Sequence, residues 1–173
     1  MNGMSFLTGA KGLLSIVLMT SLLGIAPVSA ADKGPVTNLP LPRFVSMKAS
    51  EGNVRRGPSL SHRIDWVYKR RNMPLQITAE HGHWRRVQDR DGAGGWVHYA
   101  LLSGVRTAIV EVDSLKLYAR PDPSTQVNAE LKLGVVAELR RCDAVWCELS
   151  AGGYRGWARK GQFWGVKPDE VFD

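Results

Sequence analysis

The sequence predicts an all-β chain made of two copies of one small antiparallel barrel or sandwich. An internal repeat is the first observation. Arg55-Arg56-Gly57-Pro58-Ser59 returns 65 residues later as Arg120-Pro121-Asp122-Pro123-Ser124. His83-Trp84-Arg85-Arg86-Val87 returns after 62 residues as Val145-Trp146-Cys147-Glu148-Leu149, and Gly95-Trp96-Val97 after 61 as Gly156-Trp157-Ala158. Order is kept and the offset drifts by only a few residues, so the differences fit in loops. The second observation is rhythm: short β-leaning segments alternate with Gly- and Asp-rich turns every 8–12 residues or so. Third, nothing beyond Ala30 sustains a 3.6-residue period for three turns, so helices should be minor.

The elements follow in order. Met1–Ala30 carries one charge, Lys11, then the apolar run Leu13 to Met19 and Leu22 to Ile25, and closes on the small residues Val28-Ser29-Ala30. A basic start, a short apolar centre and a small-x-small end are the marks of a secretory signal peptide, short for a membrane span. Cleavage is expected after Ala30, leaving 143 residues; an uncleaved anchor is the lesser alternative. Residues 31–42, with Pro35, Pro40 and Pro42, read as an extended Pro-rich linker. The first repeat occupies 43–104 and the second 105–167, with the boundary near Gly104-Val105 and a tail over 168–173. Within the repeats, Pro74 to Thr78 and Val135 to Leu139 lead into the turns Glu80 to His83 and Asp143 to Val145. A second strand then runs to Asp91 to Gly94 or Ala151 to Gly153, followed by the Gly-Trp strand. The connection Leu102 to Arg106 is too short for a flexible string, so the two repeats are expected to pack on each other.

Length and charge narrow the function. The 173-residue chain has 23 Lys and Arg against 16 acids, a net charge of +7, and loss of the leader lowers this only to +6. Units of this size leave little room for an elaborate catalytic domain. Export and basicity together point to anionic partners in the cell envelope and away from nucleic acid. No cysteine precedes Cys142, which excludes a lipid-modified N-terminal cysteine at a cleaved leader.

Asn53-Val54-Arg55-Arg56-Gly57-Pro58-Ser59, Trp66-Val67-Tyr68-Lys69-Arg70, Trp84 to Val87 and Gly95 to His98 resemble bacterial SH3-like (SH3b) domains. Cys142 to Cys147 and Gly153-Tyr154-Arg155-Gly156-Trp157 are similar to variants of the same module, so the resemblance spans about Phe44 to Val166. It implies two tandem SH3-like β-barrels that bind ligands without chemistry of their own. Many members are attached to cell-wall hydrolases or are thought to touch peptidoglycan. The second unit departs from the pattern, with Pro121-Asp122-Pro123 where the first has Arg56-Gly57-Pro58. A ligand surface formed by that loop would then exist in the first unit alone.

The residues able to carry chemistry are few. Cys142 and Cys147 lie four residues apart across a tight hairpin, which in an oxidising compartment reads as a disulfide. A redox-active pair is the alternative. His81 and His83 are a thin basis for a metal site, without a third ligand at matching spacing, and a solvated loop is the simpler reading. No paired-carboxylate, nucleophile-elbow or phosphate-cradling pattern occurs, so neither enzyme activity nor a cofactor is expected. What remains is recognition. Strand alternation places Trp146 with Glu148 opposite Cys147 and Leu149, hence toward the surface, and the repeat puts Trp84 and Arg86 there in the first unit. Trp66, Tyr68 and the basic run Lys69-Arg70-Arg71 are close in sequence. Trp96 and Trp157 read as caps on the two barrels. For Trp66, Tyr68, Trp84 and Arg86, a scaffold role and a ligand groove weigh about equally. With Arg55, Arg56 and Trp146, they form the candidate ligand-binding set, offering stacking for sugars or peptides and bidentate arginine contacts for carboxylates.

The expectation is a non-catalytic, exported binding protein in the periplasm that recognises peptidoglycan or another envelope ligand. It should be monomeric and meet the membrane only through its leader. Two alternatives stand beside it: a module docking an envelope protein, for instance through a proline-rich segment, and a metal or redox protein resting on the histidine and cysteine pairs.

Overall fold

The computed structural model describes residue 3 and residues 32–173. The expected leader and its cleavage site fall, apart from Gly3, outside the described residues. Strands β1 (Arg43–Met47), β2 (Gly52–Arg55), β3 (Ile64–Tyr68), β4 (Pro74–His81), β5 (Trp84–Gln88) and β6 (Gly94–His98) make the first module. A single 3₁₀ turn, Tyr99–Leu101, then leads to β7 (Leu102–Ser103). The second module repeats this with β8 (Thr107–Val110), β9 (Ser114–Tyr118), β10 (Val127–Lys132), β11 (Val136–Cys142), β12 (Trp146–Ala151) and β13 (Tyr154–Arg159). A 3₁₀ turn at Lys160–Gln162 and β14 (Phe163–Trp164) complete it.

The two sheets have the orders β3-β2-β6-β5-β4-β1-β7 and β10-β9-β13-β12-β11-β8-β14, so each strand maps onto the one seven places later. Both are antiparallel throughout and neither closes on itself. The expected barrels are therefore open, curled sheets. Strands β7 and β14 are only two residues long and pair with β1 and β8, while β3 and β10 pair only with β2 and β9. Such short edges leave nothing to zip the sheet shut.

Alternation sets the cores. Met47, Val54, Tyr68, Leu75, Ile77, Val87 and Val97 fill the first module, and Val110, Leu115, Leu117, Leu139, Cys147, Leu149 and Phe163 the second. The repeated Gly-Trp landmark has a packing cause. A Cβ on Gly95 would lie 2.7 Å from the Arg55 carbonyl oxygen and 2.8 Å from a Val54 methyl. On Gly156 it would lie 2.7 Å from the Tyr118 carbonyl oxygen and 2.9 Å from Leu117 Cβ. In both modules glycine lets the Gly-Trp strand cross close under its neighbour. The two-residue turn Gly152-Gly153, with both φ angles positive, closes β12 onto β13 as a tight hairpin requires.

A matched pair of staples sits at one end of the sheets. Glu80 on β4 lies opposite Arg85 on β5, and at the equivalent place Cys142 on β11 lies opposite Cys147 on β12. The first module is held there by a buried ion pair, the second by the expected disulfide. A flanking segment docks on each staple. Residues 32–42 are folded rather than an extended linker: Lys33 bridges Pro40, and Gly34 and Leu39 close a turn whose Val36 and Thr37 N–H groups donate to the Glu80 carboxylate. That carboxylate, placed in a turn by the sequence, lies on the strand with a fully buried side chain. The tail is docked too, because Cys142 and Phe172 exchange both backbone hydrogen bonds.

The modules pack on each other. Phe44 and Trp164 meet edge to face at 4.9 Å, the Arg106 guanidinium lies between Phe44 and Phe172, and Thr107 Oγ1 donates to the Asn72 carbonyl at 2.8 Å.

Candidate functional site

The curled sheet of the first module separates residues that are neighbours in sequence. Side chains directly opposite across an antiparallel ladder share a face. Trp66 lies opposite Val54, which is fully buried, so Trp66 and Tyr68 belong to the inner side of the sheet. Trp84 lies opposite His98, and Arg86 opposite Trp96, on the outer side. The expected single cluster is thus split in two.

Each candidate has a definite place. Tyr68 is a core residue, only 6% exposed, with its hydroxyl donating to the Ala93 carbonyl at 3.0 Å. Burial, then the nearby Asp89 charge, push its phenol above the usual range. Trp66 is partly exposed at the open edge, edge-on to Tyr68. Arg55 donates to the carbonyls of Leu60 and His62 and so shapes the loop between β2 and β3. Arg56 and Arg63 converge on Asp65, and the Arg63 guanidinium holds that carboxyl below its usual range. Trp146 corrects the sequence reading. It points to the outer side as alternation demands, but it is 8% exposed because Tyr118 packs edge-on at 5.9 Å and the Arg159 guanidinium lies 5.0 Å above its ring. Exposure depends on what neighbouring strands lay over a residue, and alternation alone carries no such information.

The outer face of the first module holds a row of side chains crossing four strands: Ala79 on β4, Arg86 on β5, Trp96 on β6 and Arg55 on β2. Beside it stands a second rung, Trp84 with His98, the rings edge to face at 5.5 Å, and Tyr99 packs on His98 at 5.0 Å. Successive rungs on one face are about 6.6 Å apart. Arg86 is exposed, and among the described residues no carboxylate lies within ion-pair reach of it. It borders a cleft of about 260 Å³ lined by Thr78, Gln88, Gly92 and Gly94. Gly94 lies opposite Gln88, where a Cβ would collide with the Val87 carbonyl.

The equivalent row in the second module reads Arg141, Glu148, Trp157 and Tyr118. The tryptophan is kept, but its surroundings satisfy one another: Arg141 Nε lies 3.2 Å from Glu148, and its guanidinium lies 4.9 Å from the centre of the Trp157 ring. The first module presents open positive charge around an indole. The second presents the same indole under a closed ion pair.

Trp96, read from the sequence as a cap, and His98 with Tyr99 also lie on the outer face of the first module. The repeat held the signal, since Trp96 and Trp157 align while Arg86 aligns with Glu148. His81 and His83 are exposed, and among the described residues no cluster of three metal-ligating side chains occurs.

The family model described as "Bacterial SH3 domain" matches residues 48–104 and again residues 111–165. The chain belongs to the bacterial SH3 domain family. Its two SH3 modules are binding domains by membership. Among solved structures, similarity extends to NlpC2 from Trichomonas vaginalis, at TM-score 0.34 and 10% identity over 72% of this chain and 48% of that one. NlpC1 from the same organism gives TM-score 0.34 and 9% identity over 78% and 49%. An NlpC/P60 family protein from Bacillus cereus gives 0.32 and 12% over 72% and 56%. This chain spans about half the length of these proteins. No curated protein sequence matches it.

Proposed function

We propose that this tandem SH3 protein is a non-catalytic periplasmic binding protein that holds peptidoglycan through the outer face of its first module. The observation carrying the proposal is the contrast between the two rows. Arg86, Trp96 and Arg55 are arranged around open surface, whereas Glu148 and Arg141 close the same place in the second module. An indole beside an unpaired guanidinium suits a glycan carrying peptide carboxylates: the ring stacks on a sugar face and the fork accepts an anionic group. The neighbouring rung, Trp84 with His98, adds a second indole along the strand, as suits a polymeric ligand. The secretory leader read from the sequence and the net charge of +7 support an anionic envelope partner.

Binding to purified sacculi tests the proposal. Arg86→Glu, at an exposed position, is expected to weaken binding about tenfold while leaving the fold intact. The wild type should also bind less as salt rises, because exposed charge contacts are screened. Sacculus binding that Arg86→Glu leaves unchanged would place the site elsewhere.

A further inference from the structure

We infer that β3 of the first module is a docking edge for an extended, acidic segment of a partner protein, which adds to the sheet as an extra strand. This edge lies one strand beyond Arg55 at the end of the outer-face row, with Ile64 opposite Arg55 and Trp66 on the inner side.

Three observations carry the inference. The first is the edge itself. Ile64–Tyr68 pairs only with β2, and among the described residues its other side has no backbone partner. The second is its apolar exposure. Leu60 in the adjoining loop is 77% exposed, Ile64 42%, and Trp66 and Val67 37% each. Protected edges carry lysines, prolines or covering loops, whereas a bare apolar edge is a template for another strand. The equivalent edge of the second module, β10, has one exposed apolar residue, Val127, carries the charged Glu130 and Lys132, and buries its leucine, Leu131.

The third observation is charge, and it selects the occupant. From Arg55 to Arg71 the chain has six Arg or Lys and one acid, Asp65, which Arg56 and Arg63 already engage. A second copy of β3 pairing antiparallel about Trp66 would set Arg63 of each chain against Lys69 of the other. Like charges directly opposed across a ladder destabilise the pair. An extended segment with acidic flanks and β-branched or aromatic centre residues has the opposite match. Its carboxylates meet Arg63 at one end and Lys69 and Arg71 at the other, while its apolar side chains lie beside Trp66 on the inner side of the edge.

The probe is a labelled short peptide with glutamates at both ends around an alternating valine–threonine centre, and its control is the same peptide with lysine ends. Binding to the whole protein is followed by fluorescence anisotropy, and amide exchange is followed across β3. The acidic peptide is expected to bind and to slow exchange at 64–68, and the lysine-ended peptide to bind at least about tenfold more weakly. Trp66→Lys and Ile64→Lys should each abolish the protection, and Trp66→Lys, on the inner side of the sheet, should leave sacculus binding intact. Arg86→Glu should leave peptide binding intact, so the two surfaces fail separately. Equal binding of both peptides, protection elsewhere than β3, or a dimer in sedimentation that either lysine variant dissolves would overturn the inference.

Discussion

Replacing Glu80 with glutamine removes one charge from the most tightly held carboxylate in the first module. Its side chain has no exposed surface. It accepts from the Thr37 hydroxyl at 2.7 Å, the Thr37 and Val36 N–H groups at 2.9 and 3.0 Å, and Arg43 at 2.6 Å, with Arg85 Nε at 3.5 Å. Burial alone would raise its pKa. The Thr37 bonds, then those of Arg43 and Val36, outweigh burial and bring it from the ordinary 4.5 down to about 2. At about 1.4 kcal/mol per pH unit this depression contributes roughly 3 kcal/mol of stability. A depressed carboxyl stabilises fully above its unfolded value and loses that contribution as pH falls through its folded value. The contribution should therefore be whole near pH 7, about half gone by about pH 3, and nearly absent at about pH 2. Glu80→Gln should cost about 2–3 kcal/mol near neutrality, and the gap from wild type should close on acidification. Urea unfolding of both proteins near neutral and near acid pH, followed by tryptophan fluorescence, measures this gap. A variant as stable as wild type at neutral pH, or a gap that does not change with pH, would refute the reasoning.

Changing Cys142 and Cys147 together to serine should lower the stability of the second module by about 2 kcal/mol, since the closed loop is short, and leave exchange protection in the first module unchanged. Gly95→Ala and Gly156→Ala should each cost about 1–3 kcal/mol in thermal or urea unfolding, because the added methyl meets neighbouring backbone in each crossing. Glu148→Arg should open the Arg141–Glu148 pair and give the second module the charge pattern of the first, read as a gain in sacculus binding.

The duplication, the all-β class and the disulfide were legible because each leaves a local trace: landmarks in register, turn residues at short intervals, two cysteines across one hairpin. The docked flanking segments were not. Residues 32–42 have the prolines of a linker, and nothing in their sequence announces that Val36 and Thr37 will find a carboxylate 44 and 43 residues away. Glu80 itself reads as a turn residue because a glycine follows two places later, yet β4 runs on to His81. The candidate site was half legible. Alternation gave the correct side for Trp84, Arg86 and Trp146, and the repeat marked Arg86 against Glu148. Which neighbours lie over each side chain depends on strand order, and strand order places β2 beside β6 though about 40 residues separate them in sequence. That adjacency brings Arg55 to Trp96, its counterpart between β9 and β13 lays Tyr118 against Trp146, and no local pattern encodes either.

The proposed ligand surface is the outer face of the first module. Amide exchange of the whole protein with and without soluble glycan–peptide fragments from digested sacculi tests it most directly. Slower exchange is expected over 84–88 and 94–98 in β5 and β6, with β12 and β13 unchanged. Equal protection of both modules, or protection confined to the second, would contradict it.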